Sequence, residues 1–217
     1  MCFSAGASFT AGVLLTFVGI ETIKKVHKPS QTVLASIPIF FAFQQFIEGV
    51  LWLTIGKTGY AGLQAVSTYI FVITAQVIWP VMIPLSVLLM EEDKTRKKII
   101  YALLAVGAVV ASYYSYHFMF YDIHAKIIGK HIVYEDNTMN LLSVIIMCAY
   151  LVATVAPFFV SSVKRIYILG IIMGVSFTVS ALFYIKSLTS VWCFFAAVIS
   201  FVVFYIVRDA HKKFYLV

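Results

Sequence analysis

Seven apolar runs, at residues 8–23, 32–55, 66–90, 98–118, 140–160, 166–185 and 189–207, dominate the chain and leave mostly short connectors between them. A bilayer core about 30 Å thick is crossed by about 20 apolar residues in a helix, so each run predicts one transmembrane helix. Composition closes the alternative. Of the 217 residues 62% are hydrophobic and 12% are charged, against about 25% charged in soluble domains, and a soluble fold has no means of covering that much apolar surface. The expected fold is all-α: a polytopic membrane bundle of about seven helices, forming one domain over 1–217. Its first partner is the lipid bilayer of the cell membrane.

The basic residues test this division. Lys24, Lys25 and Lys28 follow the first run; Lys94, Arg96, Lys97 and Lys98 the third; Lys164 and Arg165 the fifth; Arg208, Lys212 and Lys213 the seventh. The alternate connectors hold only Lys57, Lys126, Lys130 and Lys186. Basic residues concentrate on the cytoplasmic side of membrane proteins, so the amino terminus is expected outside and the carboxyl terminus in the cytoplasm. The net charge of +7 is spent in these clusters. No basic stripe on a water-facing domain exists to bind nucleic acid.

One connector, 121–139, is long. Within it Ile127 and Ile128, then Gly129-Lys130, then His131, Ile132, Val133 and Tyr134 predict a small hairpin over 126–134, expected to fold back as a cap on the outer ends of the helices.

Ionisable groups in hydrocarbon are costly, and Glu48 is the one charged residue well inside a run. Gln44 and Gln45 precede it by four and three residues, which places all three on neighbouring positions of one helix face. Trp52 continues the stripe. Gln76 and Trp79-Pro80 in the third run fall at a similar depth. Three roles are open for Glu48: a hydrogen-bonded packing group between helices, the central charge of a pocket, acting as ligand or as general acid/base, or a lipid-exposed group. At the outer boundary lie His117, His131 and Trp192-Cys193, with Cys2 at the chain start. Cys2, His117, His131 and Cys193 are candidate ligands for a transition metal such as zinc, although their spacing forms no local motif. Below Gln44 and Gln76 the runs carry little beyond Ser and Thr, so the polar track stops halfway, as in a blind pocket open to the outside.

The opening Met1-Cys2-Phe3-Ser4-Ala5, together with Phe43-Gln44-Gln45-Phe46-Ile47-Glu48-Gly49, Lys130-His131-Ile132-Val133-Tyr134 and Val191-Trp192-Cys193, resembles an uncharacterised family of small bacterial multi-pass membrane proteins that begin Met-Cys-Phe-Ser. The resemblance implies a seven-helix bundle in the bacterial inner membrane and gives weight to these four segments as a shared site. It carries no established activity. Retinal proteins need a lysine in the last helix, and 189–207 has none.

The expected function is therefore an outward-facing pocket that binds a small molecule, a lipid headgroup or a metal through Gln44, Gln45, Glu48, Trp52, Gln76, Trp79 and Trp192. Two alternatives stand beside it. One is a metal-dependent hydrolase or transferase acting on lipid, with Glu48 as catalytic base. The other is a small-solute transporter, which requires polar groups to continue past the midplane.

Overall fold

The first two helices pair through glycines. Helix α1 (Ala5–Ile23) starts at Ser4, whose hydroxyl accepts from the Ala7 N–H at 3.2 Å. Helix α2 (Thr32–Thr54) follows a single turn at Pro29–Gln31, where the Gln31 side chain accepts from the N–H groups of His27 and Lys28. Phe9 packs on Gly49, Phe46 on Gly12 and Ile39 on Gly19. As one number rises the other falls, so the pair is antiparallel. An added Cβ at Gly19 would lie 2.5 Å from Ile39, and close approach of this kind is what small residues permit between membrane helices.

The computed structural model describes the backbone of residues 4–135, 141–183 and 187–214, with side chains other than those of 193, 194, 196–198 and 209–214. After a turn in which Gly56 and Gly59 take φ of 78° and 89°, α3 (Ala61–Ile73) leads through a π turn (Thr74–Ile78) into α4 (Trp79–Met90). These three form one continuous 30-residue segment. Helix α5 (Lys94–Phe120) is capped by Asp93, whose carboxylate accepts from the N–H groups of Thr95 and Arg96. Strands β1 (His124–Ile128) and β2 (His131–Glu135) pair antiparallel around Gly129-Lys130, and Gly129 takes φ 64° to make the turn. Helices α6 (Leu141–Val160), α7 (Tyr167–Phe183) and α8 (Leu188–Phe214) complete the described chain.

The helix starts differ from the expected ones where polar residues open a helix. The third apolar run begins at Ala61 rather than 66, and the fourth at Lys94 rather than 98. Gln64 and the Lys94 to Lys98 stretch read as connector because their side chains are polar, yet a helix end outside hydrocarbon tolerates any polar side chain once its N–H groups are capped. The last helix likewise runs on through the basic residues to Phe214.

Among the described residues five segments are long and apolar enough to cross a membrane: Ala5–Ile23, Pro29–Thr54, Ala61–Met90, Lys94–Phe120 and Leu141–Val160. Two shorter apolar helical stretches, Tyr167–Phe183 and Ile199–Arg208, follow. Large apolar side chains such as Phe17, Val109, Ile145, Leu182 and Phe201 point outward, which is compatible with lipid surroundings.

The two ends of the bundle are built differently. At the basic end, Lys28 meets Glu92 at 3.6 Å and the Arg96 guanidinium donates to the Val160 carbonyl at 2.9 Å, so the α1–α2, α4–α5 and α6–α7 connections come together. At the hairpin end, Ile132, Ala125 and Ile123 pack with Leu51, Phe71, Val72 and Phe118. The Gln64 amide donates to the Ala125 carbonyl, and Tyr134 stacks on Phe71 at 4.7 Å. The hairpin therefore lies down on α3 and the end of α2, with Trp52 and Ile55 beneath it.

Candidate functional site

The π turn prepares one wall of the site. In a regular helix the Trp79 N–H would bond to Ala75, but it bonds to the Thr74 carbonyl instead, which leaves the Ala75 carbonyl without its helical donor. The Tyr150 hydroxyl of α6 supplies one at 2.7 Å. Pro80 and Pro84 lack N–H groups, and the Pro80 carbonyl freed in this way lies against α5 at Gly107, where an added Cβ would come within 1.9 Å of it. The extra residue in the turn rotates Trp79 inward. Its ring stacks on Phe41 at 4.2 Å and meets Phe40 edge-on, and its indole N–H donates to Gln44 Oε1 at 3.1 Å.

Helix α2 supplies the other wall. Glu48 is fully buried, and Gln44 and Gln45 are only 1% and 2% exposed. Gln45 Nε2 donates to Glu48 Oε2 at 3.5 Å, while the Ser190 hydroxyl at the start of α8 donates to Glu48 Oε1 at 2.6 Å. Residues 142 positions apart thus meet on one carboxylate. Gly49 admits Phe9 of α1 beside Glu48, and the neighbouring Ser8 is fully buried with a hydroxyl that has no partner among the described residues.

Three more polar atoms of this cluster are buried without a hydrogen-bond partner among the described residues: Gln44 Nε2, Gln45 Oε1 and Trp52 Nε1. Such groups are rare in folded proteins and call for an explanation each. Gln44, Glu48 and Trp52 stand one helical turn apart along a single stripe, so the unused capacity runs along one face of α2, from the level of Trp79 up to the hairpin.

The other expected site residues fall outside this cluster or at its edge. Trp192 is two residues beyond Ser190, but its indole N–H donates to Ser176 Oγ of α7 at 3.2 Å and its ring meets Tyr150 and Phe177 edge-on. Gln76 lies half-buried in the π turn and makes no hydrogen bond to the Glu48 group among the described residues. His117 is buried and stacked with Tyr121 at 4.6 Å and with Tyr113 at 6.2 Å. His131 sits half-buried on β2, where burial holds its imidazole below the ordinary histidine range. Cys2 and the Cys193 side chain lie outside the described residues, and among the described residues no three His, Cys, Asp or Glu groups gather in a way that suits a metal.

Ser8, Ser190 and Ser176 were not singled out as site residues by sequence reasoning. Ser190 had a signal, since it sits beside Trp192 in a segment already marked. Ser8 and Ser176 had none, because a serine in an apolar helix most often bonds its own preceding turn.

A mostly helical chain whose described residues include five segments long and apolar enough to cross a membrane, with a buried polar cluster, is compatible with a membrane protein and points to no particular activity. The chain belongs to a family of unknown function, DUF6629, whose pattern matches residues 1–215. No curated protein and no solved structure matches it.

Proposed function

We propose that the chain is a seven-span integral membrane protein, amino terminus outside, that binds a small polar molecule or a lipid headgroup in the cluster around Glu48. Seven spans are supported by the five long apolar segments, by α7 and α8, and by the alternation of basic connectors. On that orientation the hairpin end faces outward and the hairpin forms the roof of the site, through its packing over Trp52.

The observation that carries the binding reading is the unused hydrogen-bonding capacity of Gln44 Nε2, Gln45 Oε1 and Trp52 Nε1 around a fully buried carboxylate. Leaving a buried donor or acceptor unmade costs about 1–3 kcal/mol, and a bound ligand recovers that cost. Glu48, held by Gln45 and Ser190, is the anchor.

Native mass spectrometry of the protein purified with its own lipid tests this. The wild type is expected to carry a bound molecule that Glu48→Gln loses while remaining folded. Equal mass and equal stability for the two proteins would make Glu48 a packing group only.

A further inference from the structure

We infer that the groove between α6 and α7 holds an acyl chain of an anionic phospholipid whose headgroup lies at the α6–α7 connection. This rests on the reading of the chain as membrane-spanning and is independent of any ligand at Glu48.

The groove has a volume of about 380 Å³, with Val155 and Phe159 of α6 facing Gly170, Ile171, Gly174 and Thr178 of α7. Two glycines shape it. Phe159 lies over Gly170, where an added Cβ would come within 2.8 Å of its ring, and this contact closes the lower end. One turn further on, an added Cβ at Gly174 would meet nothing within 4 Å among the described residues, so the floor stays open. Phe159, Ile171 and Val175 along its edges are exposed, so the groove faces the outside of the bundle.

Its chemistry is that of hydrocarbon. Of the described residues that line it only Thr178 has a polar side chain, and the Thr178 hydroxyl donates to the Gly174 carbonyl at 2.9 Å. The groove offers apolar contact and asks for no hydrogen bond, which suits an acyl chain and not a polar solute.

Charge at the lower end selects the headgroup. Phe159 is followed by Val160, whose carbonyl accepts from the Arg96 guanidinium at 2.9 Å. The connection beyond it carries Lys164 and Arg165, both exposed, and no acidic residue. The carboxylate that does bond to this connection, Glu91, is buried, with its oxygens taken up by Ser161, Ser162 and its own turn. Guanidinium groups match phosphate oxygens in geometry and charge, and clusters of Lys and Arg beside helix ends attract anionic lipid. Tyr167, exposed at the start of α7, stands at the level where tyrosines meet headgroups.

The full chain in detergent is mixed separately with dioleoylphosphatidylglycerol and dioleoylphosphatidylcholine, and bound lipid is counted by native mass spectrometry. The wild type is expected to retain phosphatidylglycerol under conditions that strip phosphatidylcholine. Gly174→Leu fills the groove from a position with open space, and is expected to keep its thermal midpoint and lose that lipid. The double variant Lys164→Gln, Arg165→Asn leaves the Arg96 bond in place, and Asn tolerates the positive φ of 67° at position 165. Its preference for phosphatidylglycerol is expected to fall about fivefold for each positive charge removed. Equal retention of the two lipids by the wild type, or full retention of phosphatidylglycerol by Gly174→Leu or the double variant, overturns the site. A dimer that Gly174→Leu dissociates without any lipid bound overturns it in favour of a second copy of the chain. Loss of the lipid in Glu48→Gln but not in Gly174→Leu overturns the groove as its place, whereas loss in Gly174→Leu alone supports the groove whatever becomes of the Glu48 reading. Release of the wild type from membranes by alkaline carbonate overturns the spanning on which the groove depends.

Discussion

Glu48 and Glu91 are both buried carboxylates, 0% and 2% exposed, and they are built in opposite ways. Glu91, between α4 and α5 at the basic end, has both oxygens saturated. Oε1 accepts from the Glu92 and Asp93 N–H groups and from the Ser162 hydroxyl; Oε2 accepts from the Ser161 hydroxyl at 3.0 Å and the Ser162 N–H at 2.7 Å. Burial alone would raise its pKa, but the bonds from Ser162, Asp93 and Ser161 outweigh it and hold the carboxyl at about 2. Five donors converge on Glu91, and neither of its oxygens is left without a partner. Around Glu48 the neighbours keep unspent atoms. The first arrangement clasps two connections together, and the second leaves hydrogen-bonding capacity unmade among the described residues.

The comparison is broken most forcefully at Glu91. Glu91→Ala removes five hydrogen-bond acceptances at once and frees the α6–α7 connection, so a loss of about 3 kcal/mol is expected in detergent-phase unfolding by denaturant. A loss near zero would mean that the clasp is dispensable. Gly107→Ala places a methyl group against the Pro80 carbonyl and pushes α4, and Trp79 with it, away from Gln44. About 2 kcal/mol is expected from overpacking, with blue or red displacement of tryptophan emission as the local report. Tyr150→Phe strands the Ala75 carbonyl and is expected to cost about 1 kcal/mol.

Acidification separates the two ends. His131 has a lowered pKa from burial, so the folded state resists its protonation: stability is intact above about 6.5, the ordinary value, and declines as the pH falls below it. Glu91 contributes stability that is fully present above its ordinary 4.5 and is lost as the pH falls towards about 2. Unfolding followed from pH 8 to pH 3 is expected to show a small first decline that His131→Phe removes and a larger one that Glu91→Gln removes. The smallest effect belongs to the exposed Lys126 and Glu135 pair, 2.7 Å apart across the hairpin. Lys126→Ala is expected to change stability by less than about 0.5 kcal/mol.

The helical runs were legible because each is long and almost unbroken in its apolarity. The turn at Gly129-Lys130 was legible for a local reason, a glycine between two apolar β-branched stretches. Glu48 stood out since charge inside a span is rare, and Gln44 and Gln45 followed from helical spacing. What was hidden depends on contacts far apart in sequence. Nothing local tells that Ser190 meets Glu48, that Tyr150 repairs the Ala75 carbonyl, or that Glu91 gathers Ser161 and Ser162. The π turn was half visible: Pro80 and Pro84 announced freed carbonyls, but a change of ladder before Trp79 requires the neighbouring helices to receive it. Glu91 stands beside Glu92, Asp93 and Lys94 in a charged connector, where nothing local signals its burial.

The central claim is that the donors and acceptor left over beside Glu48 belong to a ligand, whereas those beside Glu91 belong to the protein. A high-resolution map of the protein purified in native lipid tests it directly. Density larger than water within hydrogen-bond distance of Gln44 Nε2, Gln45 Oε1 or Trp52 Nε1, together with no such density at Glu91, is the predicted result. Single waters or other side chains completing all three atoms would contradict it.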